Sequence, residues 1–474
     1  MKTEYEARIN AWFAEHEEEL LRDVGRLVRI RSVKGAPEEG KPFGPGPAAA
    51  LDEALAMAME KGFAVRDYDH YVGTVDLNDK KTILNVLGHL DVVDEGDGWT
   101  VTEPYLPRVV DGMMYGRGTD DDKGPVVAAL YAMRAVRELG IPLKYNARLI
   151  MGTDEESGSA DLAYYFSKEP FAPWSFTPDA QFPVTNVEKG SYKPTFSMQW
   201  EESEALPRVR EIHGGIRINV LPGQAEAIVV GINPIIIGPV AQPLAVEYHV
   251  EYVMTEAEKG TRIRCRGVSA HASTPEEGNN AITALLALLN KLPLADCGST
   301  QAIRRLAALF PHGDWAGETL GIAQEDEVSG PLTVAFSLLE LDETGLTGRF
   351  DARVPVCANE KNCREVVEKA FAQAGFQCEG EMEPPHHTPA EGPFIRTLLE
   401  CYEHYSGRKG ACQSTGGGTY VHNIPGGVAF GCGMPGFQSN LHGPDEHLCI
   451  ADLLTACKIF TQVLIEMCGE DSAF

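Results

Sequence analysis

The sequence predicts an α/β protein in which an α/β/α domain with a mostly parallel sheet is interrupted by an inserted α+β domain. In the first part of the chain, helical segments alternate with apolar runs such as ILNVLGHLDVV and NARLIMG, each of which leads into polar residues. From residue 188 the pattern changes to alternating segments such as TRIRCRGV, which indicate antiparallel strands. From residue 384 the first pattern returns. We therefore expect one domain from residues 1–187 and 384–474, and an insertion from residues 188–383.

The individual elements are predicted from their periodicity. Apolar residues at Ile9, Trp12, Phe13, Leu20 and Val24 recur at helical spacing and predict an amphipathic first helix with a solvated acidic face, EHEEE. A second helix follows the Pro/Gly-rich segment KGAPEEGKPFGPGP, and a third contains VVAALYAMRAV and ends at a glycine and a proline. In the insertion, AVEYHVEYVM is predicted as a strand and NNAITALLALLNKL as a helix. The strand GVAFGCG and the helix ADLLTACKIFTQVLIEMCG close the chain.

The charge of the chain excludes several classes of partner. Its 474 residues include 41 Lys and Arg against 69 Asp and Glu, a net charge of −28 at pH 7. Such a field repels nucleic acids and anionic lipids, so the expected partners are small molecules and cations. Prolines interrupt the most apolar stretch, AIVVGINPIIIGPVAQPLAV, and MKTEYEARIN lacks the apolar core of a signal peptide. With eleven cysteines and no C-x-x-C pair, a reduced, cytoplasmic protein is expected.

Five short motifs place histidines and acids at strand ends or glycine turns. They are GHLDVV with His89 and Asp91, GRGTDDDKGP with Asp120–Asp122, GTDEESG with Glu155 and Glu156, TPDAQFPV with Asp179, and SNLHGPDEH with His442. Each alone has an ordinary structural explanation, such as a hydrogen-bonded pair, a helix cap or a surface turn. Their order along one chain is what indicates a shared site.

The chemistry of these motifs points to divalent cations. Three adjacent acids beside an apolar core exceed what helix capping needs, and a cation explains why their mutual repulsion is tolerated. Neighbouring residues of a strand point in opposite directions, so of Glu155 and Glu156 one can bind a metal while the other holds a water. Asp91 can accept a hydrogen bond from one ring nitrogen of His89 while the other binds metal.

Together with RINVLPG, GVSAHAST and GGGTY, these motifs resemble the family of dinuclear zinc hydrolases that includes aminoacylases, succinyl-diaminopimelate desuccinylase and the Xaa-His dipeptidases. The similarity is greatest to its dipeptidase V-like members, and it covers the whole chain. It implies a hydrolase with a catalytic domain and an inserted lid domain. It also implies two divalent metal ions, with zinc preferred and manganese or cobalt as alternatives.

The resemblance assigns the metal ligands residue by residue. His89 and Asp179 match the terminal ligands of one ion, and Glu156 and His442 those of the other. Asp121 matches the bridging ligand, because the family pattern D-x-K-G places it two residues before the lysine. A neighbouring acid of the run Asp120–Asp122 remains the alternative.

The resemblance also assigns the other site residues. Glu155 matches the general base, Asp91 the residue that orients His89, and His271 in SAHAST the lid histidine that stabilises the oxyanion. Asn219 and Arg353 are similar to the substrate clamps, with Arg353 suited to a C-terminal carboxylate. The backbone of Gly416–Gly418, with Gly418 as the substrate-binding candidate, either lines the carboxylate or oxyanion pocket or forms a plain turn.

The leading hypothesis is a cytoplasmic metallodipeptidase that hydrolyses unblocked dipeptides, with Xaa-His or broad specificity. The alternative within the hydrolases is an N-acyl or N-succinyl amino acid amidase that shares the metal site. A non-catalytic metal-binding protein of the same fold is the third possibility, and the presence of all five ligands and the base argues against it. The long insertion resembles that of family members in which the extra lid portion takes the place of a partner subunit, so a monomer is expected.

Overall fold

A computed structural model of the chain describes residues 3–474. The helices of this range are α1 (Glu6–Val28), α2 (Pro45–Glu60), α3 (Lys123–Glu138), α4 (Ala160–Phe166), α5 (Pro234–Tyr248), α6 (Ala281–Lys291), α7 (Gly298–Leu309), α8 (Arg364–Gln373), α9 (Pro393–Ser406) and α10 (Ile450–Cys468).

The strands of the same range include many short segments. They are β1 (Ala64–Tyr68), β2 (Val72–Asp76), β3 (Thr82–His89), β4 (Arg108–Val110), β5 (Met113–Tyr115), β6 (Asn146–Gly152), β7 (Trp174–Thr177), β8 (Val184–Glu188), β9 (Gly190–Tyr192), β10 (Thr195–Gln199), β11 (Arg208–Gly214), β12 (Val220–Leu221), β13 (Gln224–Val230), β14 (Glu251–Ala257), β15 (Gly260–Arg266), β16 (Ala270–His271), β17 (Glu325–Asp326), β18 (Gly330–Pro331), β19 (Thr333–Leu341), β20 (Gly345–Val354), β21 (Gln377–Glu379), β22 (Met382–Glu383), β23 (His386–His387), β24 (Cys412–Thr415), β25 (Gly427–Ala429) and β26 (His447–Cys449).

The described chain forms two compact units. The first contains the residues up to Val187 together with His387–Gln413 and Gly418–Phe474, and the second contains Glu188–His386 and Ser414–Gly417. The chain thus returns to the first unit at residue 387, and a short segment near residue 415 groups with the second unit. The functional division into a catalytic domain and a lid domain stays a prediction.

A twisted sheet forms the centre of the first unit, with strand order β1-β2-β6-β3-β7-β25-β8. The four central strands, β6, β3, β7 and β25, run parallel to one another, whereas β1, β2 and β8 pair in the antiparallel sense at the two sides. Helices connect successive parallel strands, as such a sheet requires. The predicted α/β class is confirmed, with the parallel pairing confined to the centre.

Both faces of this sheet are covered. Val86 and Leu87 are neighbours in β3 and are both buried, but they belong to two separate hydrophobic clusters. Successive strand residues point to opposite faces, so the two clusters lie on opposite sides of the sheet. Buried residues of α1, α3, α9 and α10 belong to the larger cluster, and buried residues of α4 belong to the smaller one. The first unit is therefore a three-layer α/β/α structure.

Local sequence explains where these helices lie. The predicted apolar residues of the first helix are buried in α1, and those of the third are buried in α3. Gly140, two residues after α3, has φ of 65°, a left-handed conformation that ends helices at low cost for glycine. The predictions for both helices are confirmed.

The second unit is an antiparallel sheet with helices packed against it. Its strands follow the order β14-β15-β13-β11-β19-β20-β10-β21, and β9 pairs with β20. Buried side chains of α5, α6, α7 and α8 form one hydrophobic cluster with the sheet. Asn280 begins α6 by accepting hydrogen bonds from the N–H groups of Ile282 and Thr283.

The prediction of one continuous strand over AVEYHVEYVM is wrong in its first half. Ala245–Tyr248 form the last turn of α5, His249 adopts the left-handed conformation, and the strand β14 begins at Glu251. Alternating residues do not distinguish a strand from the end of a helix over so short a run. Among residues 3–474, no helix combines the length and the apolar composition that a membrane span needs.

Candidate metal centre

Three neighbouring strands bring the predicted site residues to one edge of the first sheet. His89 is the last residue of β3 and lies opposite Gly152, the last residue of β6. Glu155 follows β6, and Asp179 follows β7, which pairs with the other side of β3. Because parallel strands end at the same edge, residues far apart in sequence meet there, as ligand sites of open α/β sheets do.

One group of potential metal ligands consists of His89, Asp121 and Asp179, which each offer one atom within 4.8 Å of the others. The Nε2 atom of His89 lies 2.8 Å from Asp121 Oδ1 and 3.6 Å from Asp179 Oδ2. His89 is fully buried and Asp121 nearly so. A histidine and two carboxylates are a donor set that suits zinc and also manganese or cobalt.

A second group consists of Asp121, Glu156 and His442. The Nε2 atom of His442 lies 2.9 Å from Asp121 Oδ2 and 3.3 Å from Glu156 Oε2. Asp121 belongs to both groups and faces a different histidine with each of its two oxygens. This is the arrangement that a bridging carboxylate between two cations requires.

The charges at this site are unbalanced without a cation. Burial raises the pKa of Glu155 well above its usual range, and the carboxylates of Asp179 and Glu156 raise it further against the effect of His89. Burial also raises the pKa of Asp179, as does the charge of Asp121. Divalent cations reverse this repulsion, so the residues fit the binding of metal ions.

Two observations at the histidines fit a cation site. Hydrogen bonds to Asp121 and Glu156 raise the pKa of His442 to about 11, so positive charge is favoured at that position. The buried Nε2 atom of His89 has no partner in hydrogen-bonding geometry within residues 3–474, although Asp121 Oδ1 is close. A buried ring nitrogen without a hydrogen bond is rare and is satisfied by a metal ligand bond.

Asp91 contacts His89 and the turn that carries Glu155 and Glu156. Its backbone oxygen lies 3.0 Å and its Oδ1 atom 3.4 Å from Nδ1 of His89. Its two carboxylate oxygens accept the backbone N–H groups of Glu155 and Glu156, each at 3.1 Å. These two glutamates lie in a short 3-10 helix, Glu155–Ser157, and not at the end of a strand. The strand alternation expected for them is therefore wrong, because the chain turns after Asp154.

Sequence reasoning missed the role of Glu446 in the quoted motif SNLHGPDEH. This buried carboxylate accepts the N–H groups of Gly118, Asp120 and Asp121 at 3.0 to 3.2 Å. It also pairs with the buried Arg117 at 2.7 Å. Glu446 thereby anchors the turn that presents Asp121, and a lone glutamate after a histidine turn carries no pattern that reveals this contact.

The remaining predicted residues lie mostly in the second unit. His271 ends the short strand β16, which pairs with β12, and its Nδ1 atom lies 2.6 Å from the hydroxyl of Ser273. Asn219 is exposed just before β12, and its backbone oxygen accepts the N–H of Ala272. The β12–β16 pairing therefore brings Asn219 and His271 into the same part of this unit.

Arg353 already has a carboxylate partner. Its Nε and Nη2 atoms donate to the two oxygens of the buried Asp351, each at 2.9 Å, and Nη1 donates to the backbone oxygen of Gly416 at 2.6 Å. These contacts use three of the five N–H donors of the guanidinium, so two have no partner among the hydrogen bonds of residues 3–474. Gly418 belongs to the first unit and is exposed in the loop before the 3-10 helix Tyr420–Asn423.

Comparison with known proteins identifies the family of the chain. The profile of Peptidase family M20/M25/M40 matches residues 86–466. The putative dipeptidase YtjP of Bacillus subtilis strain 168 is 34% identical over 466 residues, which cover 95% of this chain and 97% of the relative. The Beta-Ala-Xaa dipeptidase of Lactobacillus delbrueckii subsp. lactis is 29% identical over 458 residues, with 95% and 96% covered.

The fold is also found in solved structures. The crystal structure of human carnosine dipeptidase 1 matches with a TM-score of 0.60 and 18% identity, covering 97% of this chain and 98% of that one. At this identity the similarity concerns the fold alone, whereas the family profile and the relative from Bacillus subtilis are similar to this chain in sequence. The chain therefore belongs to Peptidase family M20/M25/M40 and is a hydrolase.

Proposed function

We propose that the protein is a metal-dependent dipeptidase that hydrolyses unblocked dipeptides, with Xaa-His or broader specificity. The observation that carries the proposal is the pair of ligand groups that share Asp121, with Glu155 on the adjoining turn. The names of the bacterial relatives, a putative dipeptidase and a Beta-Ala-Xaa dipeptidase, support the substrate class.

In this proposal the first unit holds two divalent ions, with zinc preferred and manganese or cobalt as alternatives. His89 and Asp179 would hold one ion, Glu156 and His442 would hold the other, and Asp121 would contribute one oxygen to each. Such ions make a nearby water acidic and polarise the scissile carbonyl. The neighbouring acids Asp120 and Asp122 are poorer candidates for the bridge, because neither belongs to the two ligand groups found in residues 3–474.

Glu155 acts as the general base. Its carboxylate takes a proton from water as the water oxygen attacks the peptide carbonyl carbon, which forms the new C–O bond. The same carboxyl group then passes this proton to the leaving nitrogen as the C–N bond breaks. A carboxylate suits both steps, since it accepts the proton of the water and returns it to the amine nitrogen. Asp91 holds the base in place through the backbone N–H of Glu155.

The residues of the second unit bind the substrate in this proposal. His271 donates to the oxyanion that forms on the attacked carbonyl. Asn219 and the two free N–H donors of Arg353 bind polar groups of the dipeptide, and backbone N–H groups near Gly418 contribute further donors. Asp351 holds the Arg353 guanidinium in one orientation, which lowers the entropy cost of binding a carboxylate.

A substrate panel tests the function. Metal-free protein is supplied with zinc, manganese or cobalt and then assayed on free dipeptides, including one that ends in histidine, and on N-acetyl and N-succinyl amino acids. We expect cleavage of the free dipeptides alone. Cleavage confined to the acylated compounds would instead identify an amidase, and no cleavage at all with bound metal would identify a non-catalytic metal-binding protein.

The Glu155→Gln variant tests the mechanism. Glutamine keeps the shape of the side chain but cannot accept the proton, so kcat should fall at least a hundredfold while metal content stays at the wild-type level. The exposed Glu15 on α1 offers the matched control Glu15→Gln, which should leave kcat unchanged. Normal hydrolysis by Glu155→Gln would refute the assignment of the base.

The state of the protein in the cell is part of the proposal. All eleven cysteines are free, which supports a reducing compartment such as the cytoplasm. We propose a functional monomer, on the resemblance of its long insertion to family members that work as single chains. Light scattering at micromolar concentration should give a mass near 51.6 kDa, and a stable mass near twice that value would contradict this.

A further inference from the structure

We propose that Asp161 and Tyr420 are positioning residues that together hold the turn carrying Glu155 and Glu156, and that the Tyr420 ring in addition supports His89. The inference rests on the proposed function, because it gives these glutamates their roles as base and ligand. Neither Asp161 nor Tyr420 is itself placed to bind metal in the two ligand groups of residues 3–474.

Asp161 holds the beginning of the turn. It lies in the first turn of α4 and is fully buried. Its Oδ2 atom accepts the backbone N–H groups of Thr153 and Asp154, at 2.6 and 2.9 Å. These two residues directly precede Glu155, so their backbone determines where the turn starts.

The two buried carboxylates divide four successive N–H groups between them. Asp161 accepts those of residues 153 and 154, and Asp91 accepts those of residues 155 and 156. Both side chains are buried, and the four hydrogen bonds that they accept hold the backbone of residues 153–156 in one arrangement.

Tyr420 connects this turn to the first metal ligand. Its hydroxyl donates a hydrogen bond to Asp161 Oδ2. Its ring meets the ring of His89 edge to face, with centroids 6.1 Å apart and planes at 87°. The Tyr420 side chain thus contacts both Asp161, which holds the glutamate turn, and His89.

Gly152 shows how closely these groups are packed. A Cβ atom on Gly152 would lie 1.8 Å from the Tyr420 hydroxyl oxygen, 2.6 Å from Tyr420 Cζ and 2.3 Å from Asp161 Oδ2. Only glycine therefore fits at this last position of β6, which pairs with His89 in the neighbouring strand. Gly152 of GTDEESG and Tyr420 of GGGTY, two residues whose roles the sequence alone does not indicate, meet at this contact.

The hydroxyl and the ring of Tyr420 have separable effects. The hydroxyl acts through Asp161 on the glutamate turn, so its loss should lower kcat. The ring packs against His89, so it supports metal binding and is retained in phenylalanine. Tyr420→Phe therefore separates the two contributions. Substitutions around metal ligands typically cost tenfold to hundredfold in activity or affinity.

The experiment compares Tyr420→Phe, Asp161→Asn and the double variant with the control Tyr165→Phe. Tyr165 is buried in the same hydrophobic cluster as Tyr420, and its hydroxyl accepts a hydrogen bond from Arg148, away from the metal ligands. For each protein we would measure kcat and KM on a cleaved dipeptide, the thermal midpoint, and zinc affinity by competition with a chelator.

We expect Tyr420→Phe to lower kcat about tenfold relative to Tyr165→Phe, with KM and zinc affinity within twofold of wild type. Asp161→Asn should lower kcat by roughly tenfold to hundredfold and zinc affinity about tenfold, because Glu156 lies on the same turn. The double variant should match Asp161→Asn, since both residues act through one oxygen atom. A kcat of Tyr420→Phe within twofold of the control, or effects that multiply in the double variant, would overturn the proposal.

Failure of the proposed function gives a different result. If the wild-type protein binds zinc but cleaves no dipeptide, the function is refuted, while the chelator competition still shows whether Asp161 supports the ligand Glu156. If the wild-type protein and both variants cleave dipeptides equally well, the function stands and the positioning role is refuted. Tyr420→Phe also keeps the test decisive if Asp161→Asn does not fold.

Discussion

Asp91→Asn is the substitution whose effect can be worked out most directly from the structure. The carboxylate receives one N–H group on each oxygen, from Glu155 and from Glu156. Asparagine has nearly the same shape but offers one acceptor oxygen, and its NH2 group faces the second N–H as donor against donor. One charge-assisted hydrogen bond is therefore lost and one buried donor is left unsatisfied.

The expected magnitude follows from this loss. A hydrogen bond to a charged group contributes about 1.5 to 3 kcal/mol. If the full strength of this bond is exerted in the transition state and not in the free enzyme, its loss lowers kcat/KM roughly 10- to 150-fold, at about 1.4 kcal/mol for each factor of ten. The His89 ring should keep its orientation, because its Nδ1 atom is also 3.0 Å from the backbone oxygen of residue 91. Metal affinity should therefore change less than kcat/KM.

The assay measures kcat/KM on a cleaved dipeptide together with metal content by elemental analysis. Asp67→Asn is the control, because Asp67 also accepts a backbone N–H in the first unit, that of His70 at 2.8 Å, but is exposed and outside the site. It should change kcat/KM less than twofold. The reasoning fails if Asp91→Asn with full metal content stays within threefold of this control, or if lost metal accounts for the whole decrease.

Two further predictions concern stability. Glu446→Gln leaves the buried Arg117 without its carboxylate and weakens the hydrogen bonds to the turn that carries Asp121. The free energy of unfolding measured in urea should therefore fall by about 3 to 5 kcal/mol. An unchanged urea midpoint would contradict this prediction. For Glu19, hydrogen bonds from Arg134 and Lys61 outweigh the effect of burial and lower its pKa to about 2. Its carboxylate therefore stabilises the fold above its unfolded pKa, near 4.5, and this contribution disappears as the pH falls toward 2. Glu19→Gln should cost about 1 kcal/mol near neutral pH after allowance for solvent screening. The difference from wild type in urea denaturation should shrink below pH 4.5 and vanish only as the pH falls through about 2; a difference that grows in acid would show the opposite linkage.

Much of the fold could be predicted from local patterns. The apolar spacing of α1 and α3 and the apolar runs of β3 and β6 are local properties, since a helix or strand must bury one face or both. The failure at AVEYHVEYVM is also local in origin. A chain segment that leaves a helix and enters a strand within a few residues carries both periodicities, and only packing against the rest of the unit decides between them.

Only part of the candidate site could be predicted from the sequence. The sequence alone placed His89 and Glu155 at strand ends, and parallel strands that end at one edge must bring such residues together. It did not place Asp179 after a strand, and only the structure shows that Asp179 follows β7. Residue types alone do not distinguish the three acids of Asp120–Asp122, and Asp121 was chosen through the family pattern D-x-K-G, with its neighbours as alternatives. In the structure the distant Glu446 accepts the N–H groups of this turn, and Asp121 faces both histidines.

Sequence by itself determined the family, the order of the elements and the types of residue at the strand ends, because these depend on periodicity and on short motifs. Only the tertiary structure decided the supporting contacts: Asp91 and Asp161 on four successive N–H groups, the Tyr420 ring against His89, and Asp351 on Arg353. The contacts of Asp91 and of Tyr420 join residues that are far apart in the sequence. Their distances depend on the packing of buried side chains, and no local pattern of residues records them.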